Sequence, residues 1–130
     1  MLSETVELRT PVGRDWRAVA RLVLGGIGER LDLGIDELDD LQLAVERLLA
    51  EAGAQESVHL SFELSDRGVR AHVGPLAEST LAEALQGPEP PPGQLTLRRI
   101  LATVVDSFGV DHVEDEGLYV RLEKIVRPTT

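Results

Sequence analysis

The chain contains no cysteine, and that absence removes disulfides, thiolate catalysis and cysteine-based zinc sites together. Asparagine is missing too, so its side-chain oxygen is unavailable to any ligand set. Cationic excess is also lacking: 23 Asp and Glu stand against 13 Lys and Arg, a formal net charge of −10. Neutralising phosphates needs a clustered surplus of cations, so a general nucleic-acid binder is excluded. Lysine is reduced to Lys124, and the other twelve cations are arginine. No apolar run approaches the roughly 20 residues of a spanning helix. Met1-Leu2-Ser3-Glu4 has neither the basic nor the apolar region that opens a signal peptide. The expectation is a bacterial cytoplasmic protein without a membrane segment.

What is present suits one domain over residues 1–130, because the length is below the roughly 150 residues typical of a domain. Hydrophobic residues make up 42%. A chain of this size buries roughly two-thirds of its unfolded surface and needs no metal or disulfide staple. Val6 and Leu8 alternate with polar neighbours in a short strand ended by Pro11 and Gly13. From Asp15 a helix is expected, with Trp16, Val19, Val23 and Ile27 on its apolar stripe and Gly25, Gly26 and Gly28 weakening its last turns. A stronger helix follows Gly34, with Asp36 as its cap and Leu38, Leu41, Val45, Leu48 and Leu49 at helical spacing. Val58, Leu60, Phe62 and Leu64, then Val69, Ala71 and Val73, form a hairpin about Ser65-Asp66-Arg67-Gly68.

A short helix over 76–85 leads into Gly87-Pro88-Glu89-Pro90-Pro91-Pro92-Gly93, a stiff solvated linker. Leu97, Ile100, Leu101, Val104 and Phe108 predict a last amphipathic helix. Val110 and His112, then Leu118, Val120 and Leu122, predict a second hairpin around Asp115-Glu116-Gly117. Hairpin strands separated by helices imply an α+β fold. It is expected to be a two-layer α/β sandwich whose mixed, mostly antiparallel sheet has helices on one face and water on the other.

This element order, with Asp40-Leu41-Gln42-Leu43-Ala44-Val45-Glu46 on the second helix, resembles the anti-sigma-factor serine kinases. Those regulators share the ATPase fold of gyrase and the sensor histidine kinases, and their helix reads D-[IL]-x-[LI]-A-V-[ST]-E-A-x-x-N-A. The resemblance covers nearly the whole chain, including Ala20-Arg21-Leu22 in the first helix and Val104-Val105-Asp106 in the last. The chain resembles especially the degenerate actinobacterial members of that group. In the family an Asn on this helix holds the Mg²⁺ that bridges the ATP phosphates, a Glu one turn earlier activates the nucleophile, and an Asp after the third strand accepts from adenine. Here the Glu position falls on Arg47, with Glu46 one residue early. The Asn position falls on Glu51, and the Asp position on Gly74 followed by Pro75. A carboxylate at 51 is a good Mg²⁺ ligand in itself. Without the Asp and the glycines it would repel a nucleotide instead. ATP and Mg²⁺ are therefore not expected as cofactors, and no catalytic or metal-binding residue is assigned.

The resemblance implies a regulator that sequesters an alternative sigma factor and is displaced from it by an anti-anti-sigma antagonist. It also implies a homodimer through the first strand and helix. Arg14, Arg17 and Arg21 form the candidate partner-binding stripe, Arg21 matching the family best; the plainer alternative is a solvated helix face. Asp36, Glu37, Asp39 and Asp40 read either as a docking patch for a basic partner or as an ordinary helix N-terminal charge bias. His59, His72 and His112 invite a zinc reading, but solvated strand residues suit them better. Arg98 and Arg99 are expected on the exposed side of the last helix, and Trp16 and Phe62 in the core. Gly25-Gly26-Ile27-Gly28 lies within or at the end of a helix, so it is no nucleotide loop. Two other functions stay open: an active kinase acting on the antagonist, and a non-catalytic scaffold for some other partner.

Overall fold

The computed structural model describes residues 4–52, 55–76, 79–88 and 91–126. The elements run β1 (Glu4–Pro11), α1 (Arg14–Leu31), α2 (Ile35–Glu51), β2 (Ser57–Ser65), β3 (Gly68–Leu76), α3 (Ser79–Gln86), α4 (Leu97–Val104), β4 (Ser107–Val113) and β5 (Gly117–Ile125). The strands form one sheet in the order β1-β2-β3-β5-β4, antiparallel at all four pairings. Helix α1 lies over β1 and β2, α2 over β3, and α3 and α4 over β4. This is the α+β two-layer sandwich that the alternating strands require, with β1 and β4 at the sheet edges.

Period-two alternation decides which side is buried. Leu60, Phe62, Ala71, Val73, Val120 and Leu122 face the helices and are almost fully buried, in register across the sheet as Leu60↔Val73↔Val120 and Phe62↔Ala71↔Leu122. Against them pack Leu24 and Ile27 of α1, Leu41, Val45 and Leu48 of α2, and Leu101 of α4. Among the described residues the buried apolar side chains, Tyr119 apart, form one continuous cluster. The first hairpin turns at Gly68, whose φ of 151° favours glycine; a β-carbon there would lie 2.1 Å from the Lys124 carbonyl oxygen.

Several expectations need correction. The buried stripe of α1 is Ala20, Leu24 and Ile27, while Val19 and Val23 are half-buried. The helix is thus turned by about one residue from the expected stripe. Trp16 is 46% exposed rather than core, and the first buried residue of α1 among those described is Ala20, one turn further on. As expected, the three glycines lie within the later turns of the helix, which runs to Leu31 and closes on Asp32 in the left-handed region at φ 57°. Gly34, not Asp36, is the N-cap of α2; Glu37 turns back and accepts from the Gly34 amide at 3.3 Å. Phe108 belongs to β4, since α4 ends at Val104. There Val105 is extended, and the Asp106 amide joins the β5 carbonyl of Glu123.

Candidate functional site

Helix α2 carries the motif, and its packing sorts the motif residues. Leu41, Ala44, Val45, Leu48 and Leu49 are buried, while Arg47 and Glu51 point outward and are exposed. Glu46 is engaged: Arg21 of α1 donates to its Oε1 through Nε at 2.9 Å and also through Nη2. The Gln42 amide donates to the Arg21 carbonyl at 3.3 Å, so α1 and α2 are joined along their outer edge. Asp40 faces Lys124 of β5, Oδ2 to Nζ 3.4 Å.

Gly74 lies near the end of β3, in the place the resemblance gives to the adenine-binding Asp. It precedes Pro75 through a cis peptide bond, and the β3–β5 register shifts there. A β-carbon on residue 74 would lie 2.7 Å from the Leu118 carbonyl oxygen and 2.8 Å from the Tyr119 ring. The β-carbon itself meets backbone, so any side chain at 74, a carboxylate included, requires β5 to shift. The Gln55 side chain crosses this corner and donates to the carbonyls of Pro75 at 2.7 Å and Ser57 at 2.9 Å.

The arginine stripe lies on α1 beside α2. The Arg14 side chain lies outside those described. Arg17 is half-buried, and with Ala18, Arg21 and Glu46 it lines a shallow groove. Arg21 keeps 61% of its side chain exposed while paired with Glu46. Arg98 and Arg99 depart from the expected exposed placement. Both are half-buried and donate to main-chain carbonyls of the preceding connection, Arg98 to Gly87 and Arg99 to Pro91 and Gln94.

The histidines fall on two faces. His59 and His72 lie diagonally on the open face of β2 and β3, where Ser61 is opposite His72 and Gly74 is opposite His59. His59 is 3.4 Å from Glu7 and His72 is 3.8 Å from Asp111. His112 alternates with Val110 and Phe108 on the helix side of β4, so the three cannot share one ion. Across the open face Glu63, Arg70, Glu123, Arg121 and Asp111 form a chain of ion pairs at 2.8–3.8 Å. At this exposure such pairs contribute little each.

Two residues stand out that sequence reasoning missed. Lys124 is 7% exposed, and its amine donates to the Val104 carbonyl at 2.8 Å as well as meeting Asp40. The signal was there, because the alternation Leu118, Val120, Leu122 continues inward to 124. Tyr119 is nearly buried on the other face and donates to Glu116 at 2.8 Å. Burial, followed by the Glu116 carboxylate, raises its phenol above the ordinary value of 10.0.

No known family profile matches the chain. Over an alignment of 146 positions it is 24% identical to the serine-protein kinase RsbW of Bacillus cereus, strains AH820 and Q1, covering 95% of this chain and 86% of those proteins. The serine-protein kinase RsbW of Bacillus anthracis is similar to the same extent.

Proposed function

We propose that this chain is an anti-sigma-factor-like regulator that binds and sequesters an alternative sigma factor in the bacterial cytoplasm without ATP-dependent kinase activity. One observation carries the reading. The likeness to a serine-protein kinase runs along 95% of the chain, yet the positions that would hold nucleotide are Arg47, Glu51 and a Gly74 with no room for a β-carbon. A partner surface survives the loss of ATP chemistry, because it does not depend on it. Arg14, Arg17 and Arg21 on α1 are the proposed contact, and an anti-anti-sigma antagonist is the proposed competitor. The edge position of β1 and the exposed Trp16 support a homodimer through β1 and α1.

Affinity capture from the native host, read by mass spectrometry, tests the partner: a sigma factor is expected, and its absence with folded bait counts against the proposal. The placement on α1 has its own test. Arg21→Glu alone sets two acids together at Glu46, so the cleaner variant is the swap Arg21→Glu with Glu46→Arg. It preserves the pair and reverses the local charge. Sigma binding should weaken at least tenfold, about 1.4 kcal/mol, with stability unchanged.

The relatives' own name favours one second reading, an active serine kinase. It predicts that about 1 mM Mg-ATP stabilises the protein by roughly 4 kcal/mol if binding is micromolar. The proposal expects no shift in the melting temperature.

A further inference from the structure

In the sequence the proline-rich connection before α4 reads as a solvated linker, but its described parts are tied down by a single turn of helix. Thr96 caps α4, its hydroxyl oxygen accepting from the Arg99 amide at 3.2 Å. Arg98 and Arg99 follow after Leu97, and both guanidinium groups turn back along the chain. Arg98 donates to the Gly87 carbonyl, 11 residues earlier. Arg99 Nη1 donates to two carbonyls at once, Gln94 at 2.7 Å and Pro91 at 3.2 Å. Those two carbonyls bracket a turn in which the Gln94 amide donates to Pro91 at 3.4 Å and Gly93 takes φ 91°.

This arrangement is the reverse of an anion cradle. A cradle converges N–H groups on an acceptor from outside; here carbonyl oxygens of the chain itself converge on cations from the first turn of α4. Guanidinium suits this use, because its fork offers several fixed donors and stays charged at every physiological pH. Proline adds to it, since Pro91 and Pro92 have little backbone freedom to lose on docking.

We infer that residues 91–96, with Gly87 as a second anchor, form a latched strap. Arg98 and Arg99 bolt it to α4, and it stays closed with no ligand bound. Anything anionic that sought these arginines would have to displace at least the three described main-chain carbonyls first. The strap does not depend on what the protein sequesters, so it stands or falls separately from the sigma-factor reading.

Residue-resolved amide hydrogen exchange on the intact chain tests the latch. In Arg99→Ala the Gln94 amide should exchange at least about tenfold faster, while the Val73 and Leu122 amides of the sheet keep their rates. An unchanged Gln94 rate overturns the inference, and so does a wild-type Gln94 that already exchanges as in a free peptide. If Arg99→Ala does not fold, Arg99→Lys keeps the charge but loses the fork, and Gln94 should again exchange faster; no change counts against the latch. Inorganic tripolyphosphate added to the wild-type protein should leave Gln94 unaffected. Faster exchange with tripolyphosphate would show a strap that anions open, and would overturn the closed latch.

Discussion

Lys124 concentrates several constraints in one side chain. It sits where β5 passes beneath the end of α4, and burial of an ammonium is tolerated only with partners. The Val104 carbonyl at 2.8 Å is the stronger one, while Asp40 at 3.4 Å is 42% exposed and partly screened. Lys124→Ala removes the aliphatic stem and leaves the carbonyl without its donor, at a cost of about 2–4 kcal/mol. Asp40→Asn should cost only about 1 kcal/mol. Urea unfolding of the two variants decides: equal losses would mean that the ion pair, not the carbonyl bond, holds the helix.

Tyr119 offers a second residue-scale test, since it is the only tyrosine. Its phenol is raised above 10.0, first by burial and then by Glu116. A group whose folded pKa is raised holds its proton more tightly in the folded state. Its stabilising contribution is therefore complete below pH 10 and is lost as pH rises through the higher folded value. Ultraviolet titration of the phenolate should give a midpoint above that of free tyrosine, lowered by Glu116→Ala. Alkaline destabilisation above about pH 10 should be weaker in Tyr119→Phe.

At the scale of elements, α1 shows how a helix can be kept against its own composition. Gly25 and Gly26 sit in its interior, and at both the place a β-carbon would occupy has nothing within 4 Å, so neither is required by packing. Gly25→Ala and Gly26→Ala should each stabilise the protein by about 0.5–1 kcal/mol, visible as a higher melting temperature. Gly28 differs, because a β-carbon there would lie 3.0 Å from Leu38 across the α1–α2 contact.

The same helix marks where the sequence is readable and where it is not. The two hairpins and α2 are legible because alternation and helical spacing each run unbroken there. The stripe of α1 is ambiguous because apolar residues occur on both its flank and its core side, and only the sheet decides between them. Phe108 fits the helical spacing of α4, but the chain turns extended at Val105 and the residue joins a strand. In the candidate site, the residues that the resemblance sets at the nucleotide positions, Arg47, Glu51 and Gly74, are readable by position. The closed backbone at Gly74 and the carbonyl partners of Arg98 and Arg99 are not, since both arise from contacts between segments separated along the chain.

At the scale of the whole molecule two electrostatic effects oppose each other on α1. The protein carries −10 overall, and its field should speed the approach of the proposed partner, a sigma factor with basic DNA-binding regions. The proposed contact, however, is a stripe of arginines. Replacing one arginine takes the net charge from −10 to −11, which strengthens the long-range attraction while removing a local contact. Steering acts on association and short-range contacts on dissociation, so the two effects separate in the kinetics. For Arg17→Ala, the association rate with the captured sigma factor should stay the same or rise slightly, while dissociation quickens by about tenfold. Raising salt should slow association of the wild-type protein, as the Debye length falls from about 10 Å at 0.1 M to about 3 Å at 1 M. A slower association for Arg17→Ala, with dissociation unchanged, would mean that the arginines meet an acidic patch of the partner during approach and that the net charge does not steer the encounter.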